Sequence, residues 1–112
     1  MRKELKMAKI EKSSGNVYKD LGLANSEQMF IKATLAAKIG EILAQRGLTQ
    51  VEAAKLLGIP QPKVSALLRG QFRGISEAKM LECLNRLGRD IDIVVRRSSR
   101  TRADGRTNIV FA

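Results

Sequence analysis

Gln61, Lys63 and Ser65 are the side chains best placed to act on another molecule. They sit just after Pro60 and interleave with the apolar Val64 and Leu67. A glutamine amide both donates and accepts, so it can hold both hydrogen-bonding atoms of adenine. An ammonium group favours O6 and N7 of guanine, and a serine hydroxyl suits several bases. Pro62 has no donor and offers an apolar contact, such as to a thymine methyl. Thr49, Gln50, Arg69, Gln71 and Arg73 flank this set with groups suited to phosphate oxygens. The chemistry they suggest is reading of base edges combined with a grip on the backbone.

Catalysis lacks its parts. The chain has no His and a single Cys, and its Ser residues have no paired base. The carboxylates are scattered, with Asp90 and Asp92 together on one side of an extended run, so no metal site is expected. Gly70 and Gly74 punctuate helices and do not form a phosphate-binding loop. An enzyme is therefore not expected, nor a cofactor or a small-molecule substrate.

The elements that must position the readers lie in Thr49–Gly70, TQVEAAKLLGIPQPKVSALLRG. Thr49 and Glu52 form a capping box, in which each side chain satisfies a free backbone N–H. The spacing predicts a helix over about Gln50–Leu57, with Val51, Ala54 and Leu57 facing inward. Gly58 closes it and Ile59 plugs the turn. Pro60-Gln61-Pro62 opens a second helix, where a missing N–H costs nothing. Val64, Leu67 and Leu68 are expected to face the core. A small residue at Ala54, where helices cross, and a turn residue tolerant of positive φ at Gly58 are what a helix-turn-helix needs. The pure structural alternative is an αα-hairpin.

Supporting helices are expected on both sides. Ser26 caps a long helix from Glu27 to about Arg46, with Ile31, Leu35, Ile39, Ile42 and Leu43 as its stripe, ended by Gly47. After a loop anchored by Phe72 and Ile75, Ser76 caps a helix over about Glu77–Leu87, with Met80, Leu81, Leu84 and Leu87 inward. Arg89–Arg97 then changes period. Ile91, Ile93 and Val95 alternate with Asp92 and Val94, which predicts a strand. Asp104-Gly105 is a turn signal, and Thr107–Phe111 is a second β-rich run, so an intramolecular hairpin is one outcome. Pairing of Ile91–Val95 with a second copy is the other. The fold class is thus mainly α: a helical bundle with a helix-turn-helix and a short C-terminal β-strand or hairpin.

The organisation expected is a flexible basic arm at 1–15, the helix-turn-helix domain with its strand at 16–97, and an Arg-rich tail at 98–112. Within 16–97, Asn16–Asn25 is a short lead-in. Lys and Arg number 21 against 11 Asp and Glu, a net charge of +10, which draws polyanions. A lone Cys83, expected to be buried, fits a cytoplasmic protein. No apolar run is long enough to span a membrane, and no secretory h-region is present.

Gln50, Ala54, Gly58, Ile59, Gln61, Val64 and Leu67 match the spacing of the phage-repressor, or XRE-type, helix-turn-helix. The longer strings NVYKDLGL, RGLTQVEAAKLLGIPQPKVSALLRGQFRGIS and LGRDIDIVV resemble the small HigA-like antitoxins within that group. The resemblance covers roughly Asn16–Val95. It implies a five-helix repressor-like bundle used as a homodimer on operator double-stranded DNA. It also implies a RelE-type toxin as partner and repression of the chain's own operon. Within the motif, Gln61, Pro62, Lys63 and Ser65 would read bases, while Thr49, Gln50, Arg69, Gln71 and Arg73 would meet backbone. The alternatives are a stand-alone transcriptional repressor and a basic module that binds an acidic protein or RNA.

Overall fold

The computed structural model describes residues 26–99 and 104–112. The basic arm at 1–15 and the lead-in Asn16–Asn25 lie outside the described residues. Among the described residues the chain forms α1 (Ser26–Arg46), α2 (Gln50–Leu57), α3 (Gln61–Leu68) and α4 (Glu77–Arg86). None of these is long and apolar enough to cross a membrane.

Each helix forms where the sequence supplies both a stripe and an end. In α1 the residues Leu35, Ala36, Ile39, Ile42 and Leu43 are buried, which is one face at helical spacing. In α4 the buried residues are Met80, Cys83 and Leu84, continued by Leu87 just past its end. These two stripes pack on each other, and α2 and α3 close over them as a pair. Ala53 and Leu57 come from α2, Val64 and Leu67 from α3, and Ile59, Phe72 and Ile75 from the connections. Each fully buried Leu or Ile contributes about 1.5–3 kcal/mol by removing its side chain from water. No polar side chain among the described residues is buried in this core. Burial also pushes the Cys83 thiol up, so it stays protonated as a small apolar packing unit.

The ends match the capping signals. Thr49 Oγ1 accepts from the Glu52 N–H at 3.1 Å, and Glu52 Oε1 accepts from the Thr49 N–H at 2.9 Å. Ser76 Oγ accepts from the Lys79 N–H at 3.1 Å. Helix α3 is different: its cap is Pro60, which supplies no side-chain bond, and its start rests on the preset proline backbone. Two arginines close helix ends from a distance. Arg46 Nη2 donates to Leu87 O at 2.6 Å, and Arg86 Nη1 donates to Leu56 O at 3.4 Å.

Three expectations need correction. Val51 is half exposed, and Ala53 is the buried residue of α2's first turns. Ala53 and Leu57 are four apart and share a face, whereas Val51 lies on nearly the opposite side. Leu68 is also exposed, at the flank of α3, with its Cδ2 over Gly40 of α1. The third concerns the C-terminal β structure. Among the described residues no strand is formed, so neither Ile91–Val95 nor 107–111 has a ladder partner, and the intramolecular hairpin is not made. Ile91 packs partly against the core, while Ile93 and Val95 stand in solvent. The second run is occupied elsewhere: Ile109 packs against the core, and Lys38 Nζ lies 4.7 Å above the Phe111 ring. Packing on α1 competes directly with pairing of the two runs.

Candidate nucleic-acid interface

The turn between α2 and α3 sets the geometry of the surface. Gly58 has φ 70° and ψ 33°, the left-handed region, and its N–H donates to Ala54 O at 2.9 Å. The chain reverses there without a Cβ to clash. A Cβ added at Gly58 would meet Arg86 Nη1 at 2.9 Å. Arg86 of α4 thus lies across the turn and holds the end of α2. Arg86 is itself paired with Glu82 at 3.1 Å, and Glu82's carboxyl is held below its usual range by Lys79 first and Arg86 second.

Val64 and Leu67 pin one side of α3 to the core. At 100° per residue, the opposite side is centred on Pro62, Ser65, Ala66 and Arg69, with Gln61 at its edge. Gln61 and Pro62 are exposed at the N-terminal end of the helix. Ser65 Oγ and Arg69 Nη1 are hydrogen-bonded, and Arg69 Nη2 donates to Gln71 Oε1 at 3.3 Å. Three of the anticipated residues therefore form one polar cluster at the other end of α3.

Lys63 stands apart from that face. It is exposed but lies beside Leu67 around the helix, and its Nζ donates to Gly74 O at 2.9 Å. It borders a cleft together with Pro60, Gly74 and Lys79. Arg73 is exposed in the same loop, and its carbonyl accepts from Lys32 Nζ at 3.5 Å. The stretch 60–75 carries Lys63, Arg69 and Arg73 and no carboxylate.

At the start of α2, Thr49 and Gln50 are both exposed. The capping box satisfies the third N–H of the helix and leaves those of Gln50 and Val51 without a partner among the described residues. Such outward N–H groups at a helix start suit a phosphate oxygen. Ile91, Ile93 and Val95 are not part of this surface.

Two residues escaped the reading of the sequence. Ala66 shares the outward face of α3 and is half-buried; its position four after Pro62 was the available signal. Arg86 had no signal, because its link to Leu56 O spans distant parts of the chain.

The arrangement is an exposed helix face free of negative charge, with a second helix start beside it. Residues 17–96 match the family described as helix-turn-helix domain. A solved structure described as an XRE family transcriptional regulator is 38% identical, with a TM-score of 0.74. The match covers 79% of this chain and 99% of that one. No match was found among curated proteins.

Proposed function

The chain belongs to the XRE family of helix-turn-helix transcriptional regulators, and on that premise we propose that it is a dimeric operator-binding autorepressor and the antitoxin of a toxin–antitoxin pair. The observation that carries the DNA half is the exposed N-terminal face of α3, pinned by Val64 and Leu67 and set beside the capped start of α2. In this proposal α3 enters the major groove N-terminus first. Gln61 takes adenine in a bidentate pair, worth about 1–3 kcal/mol of discrimination. Pro62 and the neighbouring Ala66 offer apolar surface to thymine methyls. Lys63 exchanges Gly74 O for a base or phosphate oxygen. Ser65 is aimed by Arg69, and Arg69, Gln71 and Arg73 follow the backbone beyond the helix. Thr49 and Gln50 receive a phosphate on the other side.

One α3 spans only a few base pairs, so a specific site requires two copies about a helical turn apart. The antitoxin half rests on the resemblance of the strings around the motif to HigA-like proteins. Its partner would be a RelE-type toxin.

The test is a gel shift on duplex DNA from upstream of the chain's own operon. Gln61→Ala and Lys63→Ala are expected to weaken specific binding about tenfold or more each while leaving the helical circular dichroism intact. Unchanged affinity in both variants would sink the assignment of α3 as the reading helix. Co-expression with the product of the adjacent gene tests the toxin half: a stable complex supports it, and independent elution of the two chains removes it.

A further inference from the structure

Arg69 stands at the C-terminal end of α3, yet its side chain turns back along the helix, as long helical side chains do. Nη1 is hydrogen-bonded to Ser65 Oγ, one turn nearer the N-terminus, and Nη2 donates to Gln71 Oε1 at 3.3 Å. Neither bond goes to a carbonyl at the helix end, so the guanidinium does not cap it. Around the helix, Arg69 and Pro62 are two turns apart on nearly one line, while Val64 and Leu67 hold the opposite side in the core. The guanidinium is thus level with Ser65 on the outward face.

These two bonds fix what the group offers. Each partner turns its oxygen to Arg69, which leaves the Ser65 O–H and the Gln71 amide N–H groups to face elsewhere. On Arg69 itself, three of the five side-chain N–H groups keep no partner among the described residues. No carboxylate lies in the stretch 60–75, and Arg69 takes no ion pair among the described residues. The fork is therefore aimed by neutral groups and keeps its full charge. In the major groove only guanine shows two acceptors, O6 and N7, on one base, and they suit a bidentate arginine. Lys63 must first leave Gly74 O to reach a base, whereas the Arg69 fork is already in place.

We propose that Arg69 reads a guanine of the operator half-site, with Ser65 and Gln71 as the positioning residues that hold its fork. The proposal rests on α3 being the reading helix and adds a base to the backbone contact given to Arg69 above. Two N–H groups take O6 and N7, and the third stays free for a phosphate. Ser65 is one helical turn past Gln61, about 6 Å along the axis. The guanine then lies about two base-pair steps from the adenine taken by Gln61.

Repeated selection from random duplexes with the full chain tests the assignment. Wild type is expected to select a guanine at this position in each half-site. Arg69→Ala is expected to lose that one preference and keep the others. Arg69→Lys keeps the charge without the fork, and the same loss is expected. Replacing the guanine by 7-deazaguanine removes the N7 acceptor. This is expected to weaken wild type about tenfold and Arg69→Ala by less than about twofold. Ser65→Ala is expected to lower that sensitivity and Ser65→Thr to restore it. Base preference is a ratio within one variant, so a loss of stability does not imitate these changes.

If Arg69→Ala weakens binding equally on every base variant, with the salt slope reduced by about one, Arg69 is a phosphate contact alone. That result would overturn the proposal and leave α3 as the reading helix. A wild-type site with no guanine near the Gln61 adenine would overturn it as well. If Gln61→Ala also leaves every base preference unchanged, the reading helix itself falls with it.

Discussion

Single residues decide how the α2–α3 turn is made. Gly58 combines a left-handed backbone with the guanidinium of Arg86 lying 2.9 Å from where a Cβ would be. The arginine can swing aside, so the backbone is the larger obstacle. Gly58→Ala is expected to destabilise the chain by about 1–3 kcal/mol, read as a lower denaturation midpoint at unchanged slope. The glycine was legible in the sequence because its place after a capped helix leaves few other uses for it. Its partner was not, because nothing local marks Arg86 as reaching Leu56. The same limit applies to Lys63. Its type and place in the motif suggested groove contact, while its bond to Gly74 O depends on how the following loop folds back.

Whole elements were legible wherever their beginnings and ends are local. Thr49 with Glu52, Ser76, and the glycines after the helices announce themselves within a few residues, and α1 to α4 follow them closely. The capping box at the start of α2 gives a test at this scale. Thr49→Ala is expected to cost about 1 kcal/mol in thermal or chemical unfolding, with Thr49→Ser close to the parent. Val51 and Leu68 were misplaced for a physical reason: in eight-residue helices one position of rotation moves a side chain from core to rim. The β-rich segments were legible as types but not as pairs. A strand exists only with its partner, and here one segment is taken by α1 while the other stands open.

At the scale of the molecule, net charge and the carboxylate-free surface of α3 act together. With +10 on a chain of 112 residues, attraction to DNA is strong before any base is read. Specific binding is therefore expected to fall steeply with salt. A dimer holding about 6–10 phosphates would lose roughly 10³–10⁵ in affinity between 50 and 200 mM salt. A flat dependence in a titration over that range would contradict the backbone contacts assigned to Thr49, Gln50, Arg69, Gln71 and Arg73. The charge was legible from composition, but its distribution over the surface needed the fold. The ion pairs among the described residues, Lys38–Glu41, Lys79–Glu82 and Arg86–Glu82, each join neighbouring turns of one helix. What mainly holds helix to helix is an interior in which, among the described residues, no polar side chain is buried. Concentrated electrolyte thus attacks one property and spares the other: it strips nucleic acid from the surface while the bundle beneath remains assembled. A molar-salt wash followed by dilution would return a clean chain ready to bind again, without a refolding step.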